Sequence, residues 1–197
     1  ESGESGDNIL PRFNRYFKQA HFIEVYNKGG EPLRWQAKAS EKWIRMDIAA
    51  GETKTQQRIH VSIDWENVPA GESVRGGIEV TDTKSVKQVK VVVFNPPGPS
   101  PAELHHLFVE NNGVVCIPPA DFHRKTEHGG VRVPVIKQGG YTKAALQLGH
   151  AAADSGQGSH VEYDFYTFAA GKAIVYVYTL PLFAREKNLS TRYRVQI

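Results

Sequence analysis

The side chains that could do chemistry are few and widely spaced. Glu162 and Asp164 stand two apart in VEYDFY, and on an extended strand residues i and i+2 point to one face. Paired carboxylates are the working groups of glycosidases. That use requires a pocket that pushes one carboxyl pKa up, and the flanking residues supply none, so the pair reads as a solvated sheet face. The chain has 8 histidines; His105 and His106 are adjacent, and adjacent side chains on extended backbone diverge, which argues against a shared metal. Cys116 is the sole cysteine, so neither an internal disulfide nor a metal site built on cysteine pairs is possible. It lies in the apolar run Val114–Ile117 and is expected to be a core thiol. No HExxH, GxSxG, P-loop or CxxC pattern occurs. Catalytic residues, metal and cofactor are all expected to be none.

The aromatic residues offer a different chemistry, stacking on sugars, which needs exposed rings beside polar groups. The 3 tryptophans, Trp35, Trp43 and Trp65, all fall in the first half. Trp65 shares a face with Ile59, Val61 and Ile63 in RIHVSIDW, so all three tryptophans are expected to fill a core. Tyr176, Tyr178, Tyr166 and Tyr141 are left as the candidate carbohydrate or partner contacts. If Val175 and Val177 point inward, Tyr176 and Tyr178 form an exposed pair of the kind interfaces use.

Elements that could carry these residues follow from period-two alternation. Phe22–Asn27, Leu33–Ala39, Glu41–Ile48, Arg58–Trp65, Val74–Thr81 and Val86–Phe94 read as short strands separated by Gly- and Pro-containing turns. No long helical pattern intervenes, which argues an all-β sandwich. Leu10–Gln19 is expected to approach the first strand with Phe13, Tyr16 and Phe17 on the domain edge. Asn95–Pro101 holds four prolines in seven residues; such a run cannot join a central strand and favours extended backbone. Later strands are expected at Val114–Ile117, within Phe122–Ile136, at Ala144–Leu148 and at Tyr193–Ile197. Val161–Tyr178, broken at Ala169–Lys172, reads as a hairpin.

Charge and composition narrow the function. The net charge is +3, from 24 basic and 21 acidic residues, too balanced to argue for nucleic acid or an anionic membrane. No run approaches the roughly 18 apolar residues of a membrane span. The chain opens at Glu1 without an initiator Met, and so reads as a fragment or processed piece.

The second half resembles the C-terminal domain of family-115 glycoside hydrolases, the xylan α-1,2-glucuronidases. The matching residues run through Asn112-Gly113, Val115, Ile117, Phe122, Arg124-Lys125 and Gly129-Gly130-Val131-Arg132. They continue at Ile136, Gly139, Leu146, Glu162-Tyr163-Asp164-Phe165-Tyr166, Arg192-Tyr193 and Val195. The first half resembles a BACON-like immunoglobulin-type sandwich, through Asn27-Lys28-Gly29, Trp35, Ala39-Ser40, Trp43-Ile44, Gly51 and Val61-Ser62-Ile63-Asp64. The resemblance implies two tandem antiparallel sandwiches, immunoglobulin/BACON-like and then jelly-roll-like. Their limits would be a lead-in at 1–9, a first domain at 10–94, a proline-rich linker at 95–103 and a second domain at 104–197. It implies a non-catalytic accessory region of a bacterial glucuronidase-like enzyme, secreted, periplasmic or on the cell surface. Its partners would be upstream catalytic domains and a second copy in a homodimer. The alternative is a carbohydrate-binding module for xylan or a related plant polysaccharide. One departure stands out: where the family commonly has Glu-Ala-Glu after Ile117, this chain has Pro118-Pro119-Ala120, whose side chains offer no oxygen; Asp121 remains nearby, but one carboxylate makes a poor cage for a calcium ion, which wants several oxygens at once.

Overall fold

The computed structural model describes residues 8–17, 19–147, 158–180 and 194–197. The chain forms two compact units, Glu1–His106 and Leu107–Ile197. Every regular element among the described residues is a strand.

The first unit contains β1 (Phe13–Asn14), β2 (His21–Tyr26), β3 (Leu33–Ala39), β4 (Ile44–Met46), β5 (Ala50–Thr53), β6 (Gln56–Ile63), β7 (Gly71–Asp82) and β8 (Val86–Asn95). They build a five-stranded sheet in the order β1-β8-β7-β3-β5 and a three-stranded sheet in the order β2-β6-β4. The inner faces share one core. Trp35, Ala37, Ile78, Val89, Val91 and Val93 come from the larger sheet, and Val25, Ile44, Ile59 and Val61 from the smaller. On β6 the alternation does the sorting: Ile59 and Val61 are fully buried while Arg58, His60 and Ser62 face solvent. Each fully buried aliphatic side chain contributes about 1.5–3 kcal/mol.

The tryptophans behave as core residues, with one adjustment. Trp35 and Trp43 are buried. Trp65 lies beyond the end of β6, in a turn, and packs on the core while partly buried. Glycine makes room for Trp43: a Cβ at Gly76 would sit 2.9 Å from the Trp43 ring and 2.9 Å from Ile44 Cδ1.

The approach segment is not at the edge of the core. β1 pairs in parallel with the end of β8, Phe13 opposite Val93, and this pairing carries Phe13 into the interior, where it is fully buried. Asn95, first residue of the proline run, is the last residue of β8. Its buried side chain donates to the carbonyls of Val68 and Pro69 at 3.0 Å each and accepts from Arg15 at 3.2 Å. Tyr16 Oη donates to the Pro99 carbonyl at 2.8 Å. These bonds tie the start of the proline run to the first unit.

The second unit contains β9 (Phe108–Val109), β10 (Arg124–Thr126), β11 (Val135–Lys137), β12 (Ala144–Leu146), β13 (His160–Glu162) and β14 (Phe165–Tyr166). They pair as β10-β13, β11-β12 and β14-β9, the last in parallel. The expected hairpin over Val161–Tyr178 does not form. Its first arm is divided between two ladders, β13 on β10 and β14 on β9, because the backbone turns aside between them: Asp164 N–H donates to His123 Nδ1 at 2.9 Å. Its second arm, Ile174–Tyr178, carries no strand assignment and is exposed on both faces.

Three further expectations are corrected. Val114–Ile117 is not a strand: Asn112 and Gly113, with φ of 52° and 80°, fold it back so that Asn111 bridges Val114, the positive-φ pair that a tight reversal demands. Cys116 follows this turn and is exposed rather than buried. Residues 194–197 are not a strand, and Tyr193 lies outside the described residues.

Candidate functional site

Glu162 ends β13 and Asp164 follows it, opposite Arg124 at the start of β10; Arg124 and Glu162 are register partners. Arg124 Nε donates to Glu162 Oε2 at 2.6 Å, and its two terminal nitrogens donate to the two Asp164 oxygens at 2.6 and 2.7 Å. A planar guanidinium matches a carboxylate through such paired bonds. Arg124 hydrogen bonding holds the Glu162 carboxyl below its ordinary range. The Arg124 pKa is raised by Asp164 first and Glu162 second.

This arrangement does the opposite of what a glycosidase needs. A general acid must keep its proton near neutral pH, which takes burial or a neighbouring negative charge. Here a cation sits on both carboxylates, and all three groups are at the surface. The cluster is an ion-paired strap between β10 and β13.

Tyr163, between the two carboxylates, turns the other way. Its hydroxyl donates to the Pro119 carbonyl at 2.7 Å, and Asp121 N–H donates to the Pro118 carbonyl at 3.1 Å. Burial, with a smaller push from Asp121, raises the Tyr163 pKa. The Pro118-Pro119-Ala120 segment therefore serves as an acceptor for a neighbouring tyrosine.

The four candidate tyrosines do not converge. Tyr141 follows Gly140 in the β11–β12 connection and is fully exposed. Tyr176 and Tyr178 are 74% and 90% exposed, but Val175 and Val177 are exposed too, at 49% and 45%, so the expected inward turn of the valines is not found and the segment is open on both faces. Leu180 Cδ2 lies 3.9 Å from where a Gly140 Cβ would stand, which brings the end of the Tyr178–Leu180 stretch beside the turn that carries Tyr141. Tyr166 is different: it is half-buried at the end of β14, its ring edge-on to Phe168 at 5.3 Å. Its backbone carbonyl accepts from Glu110 N–H at 3.0 Å.

Two functional features escape sequence reasoning. Arg124 could have been found only by knowing that β10 pairs with β13, a separation of 38 residues. The exposed aromatics of β2 were hidden because HFIEVY places large apolar residues on both faces, Phe22 and Tyr26 on one and Ile23 and Val25 on the other.

Residues 107–197 match the family described as the glycosyl hydrolase family 115 C-terminal domain. No curated protein matches the chain. Among solved structures, the chain is similar to the Bacteroides ovatus GH5 xyloglucanase in complex with a XXXG heptasaccharide, with TM-score 0.39 and 13% identity over 55% of this chain and 21% of that one. It is similar to the Pseudomonas aeruginosa CupB2 chaperone, with TM-score 0.38 and 11% identity over 47% and 54% of the two chains. The E. coli chaperone DraB gives TM-score 0.38 and 12% identity over 54% and 62%. The chain thus spans about a fifth of the xyloglucanase and less than two thirds of either chaperone.

Proposed function

We propose, from a second unit that is a C-terminal accessory domain of family 115 glycoside hydrolases, that this chain is a non-catalytic accessory region of a xylan α-1,2-glucuronidase-like enzyme. Its role is to support upstream catalytic domains and a homodimer, in a secreted, periplasmic or cell-surface bacterial enzyme. The first unit is a BACON-like sandwich in this reading.

The observation that carries the non-catalytic part is Arg124. It neutralises the Glu162–Asp164 pair, and so removes the raised-pKa acid on which glycoside hydrolysis depends. The purified chain, incubated with glucuronoxylan, releases no uronic acid; turnover that survives Arg124→Ala and disappears in Glu162→Gln would defeat the proposal. Sedimentation of the chain tests the homodimer: a single monomeric species up to high concentration argues against that part.

A second reading, a carbohydrate-binding module for xylan or a related polysaccharide, draws on the outward-facing Tyr141, Tyr176 and Tyr178. The first reading is preferred for this patch because exposed aromatics on a domain built beside others fit an interface, and because Tyr166 is drawn into packing with Phe168.

A further inference from the structure

The outer face of the smaller sheet in the first unit carries a group of side chains that neither the core nor the ladder requires. Phe22 and Tyr26 lie on β2 at positions i and i+4, hence on the same face. Both are exposed, at 47% and 54%, whereas Ile23 and Val25 between them turn inward to the core. At about 3.3 Å per residue they stand roughly 13 Å apart along the strand, which suits a few linked pyranose rings. Glu24 lies between them, with Arg58 of β6 directly opposite in register.

These groups are locked to one another. Arg58 Nε donates to Glu24 Oε1 at 2.6 Å, and Tyr26 Oη donates to the second carboxylate oxygen. The Arg58 guanidinium covers one side of the Phe22 ring at 4.5 Å from its centroid. A cation stacked on an aromatic face is held in place while its edge donors stay available. Among the described residues no acceptor takes the two terminal nitrogens of Arg58. The face therefore presents two fixed rings with, between them, a guanidinium with unused donors, while the Glu24 carboxylate, already accepting on both oxygens, holds Arg58 and Tyr26 in place.

Charge narrows the ligand. Arg58 is balanced by Glu24, and on the same sheet Arg45 pairs with Asp64 and His60 with Asp47. A polyanion gains nothing from such a face. An uncharged, hydroxyl-rich ligand with flat C–H faces gains on both counts. Its C–H faces cover the rings, and its hydroxyl oxygens accept from Arg58.

We propose that the Phe22–Glu24–Tyr26–Arg58 face binds a neutral polysaccharide. This deepens the second reading above, moving the glycan contact from the second unit to the first, and leaves the first reading of the second unit unchanged. An open platform without enclosing walls gives weak affinity, with Kd on the order of a millimolar.

The test is titration of the full chain, isotopically labelled for NMR, with xylohexaose and cellohexaose as neutral probes. Amide shifts concentrated on Phe22, Glu24, Tyr26 and Arg58 are expected, with binding weakened on the order of tenfold in Phe22→Ala or Tyr26→Ala and unchanged in Tyr176→Ala. The wild-type shift map does not depend on any variant folding. Shifts confined to Tyr141, Tyr176 and Tyr178 would overturn this face and keep a carbohydrate-binding module on the second unit. No shifts anywhere at tens of millimolar would overturn both.

Discussion

The two units meet the same problem, how to hold strands together, with unequal means. In the first unit β7 and β8 run for 12 and 10 residues and pair over most of that length. Both faces of the sandwich then close on one interior, where Phe13, Ile59, Val61, Ile78, Val91 and Val93 are fully buried. In the second unit the ladders are two or three residues long, and β10 and β11 are exposed along their whole length. Specific side-chain bonds take up part of the work there: the Arg124 strap, the Tyr163 hydroxyl on Pro119, and Ser159 Oγ donating to Val131 O at 2.7 Å. The lesson is that burial makes an element robust to a lost hydrogen bond, whereas a short exposed ladder depends on its individual bonds.

Breaking each kind of support in turn sharpens that contrast. The largest effect is expected from Ile59→Ala, which empties a fully buried site between the sheets. It should destabilise the first unit by about 2–5 kcal/mol in urea unfolding. An effect below about 1 kcal/mol would mean that the core is not the unit's main support.

Next comes Gly76→Ala. The new methyl meets the buried Trp43 ring and Ile44 at 2.9 Å, and overpacking of this kind costs about 1–3 kcal/mol. A thermal melt reads it, and a near-ultraviolet dichroism change would place the strain at Trp43.

In the second unit Tyr163→Phe removes one hydroxyl and keeps the ring. A net loss of about 0.5–1.5 kcal/mol is expected from the missing bond to Pro119. No change in melting temperature would deny the bond its role.

Arg124→Ala gives a smaller effect with a distinct pH signature. Arg124 depresses the Glu162 pKa in the folded chain. A depressed carboxylate stabilises the fold above the unfolded pKa, and that contribution disappears as pH falls through the folded value. The melting-temperature gap between wild type and variant should therefore be present at neutral pH and close on the acid side. NMR titration should show Glu162 taking up its proton at higher pH in the variant. A gap constant from neutral to acid pH would exclude the ion pair as its source.

How much of this was legible in the sequence depends on what decides each feature. β6 was legible because its alternation is strict and one face is wholly apolar, so only one register buries it. The core places of Trp35 and Trp43 followed from the same logic. Phe13 was misplaced because burial of a two-residue strand is decided by its parallel pairing with β8, which no local pattern encodes. Ile174–Tyr178 alternates only tyrosine with valine, and the described residues offer it no ladder; a β-prone run does not by itself supply a partner. Cys116 looked like a core thiol because its neighbours are apolar, but the Asn112-Gly113 reversal, itself readable as a turn, carries it outward. For the site, the valines beside Tyr176 and Tyr178 were no guide, because they are exposed as well. Arg124 was not legible either, because its partners come from a distant strand.

The measurement that bears most directly on the account is calorimetric titration of the purified chain with glucuronoxylan oligosaccharides, run beside Tyr176→Ala and Tyr178→Ala. An accessory region whose tyrosines serve an interface binds these sugars no more tightly than on the order of a millimolar, and the two substitutions leave the isotherm unchanged. Micromolar binding that vanishes in both variants would contradict the account and make the second unit a carbohydrate-binding module.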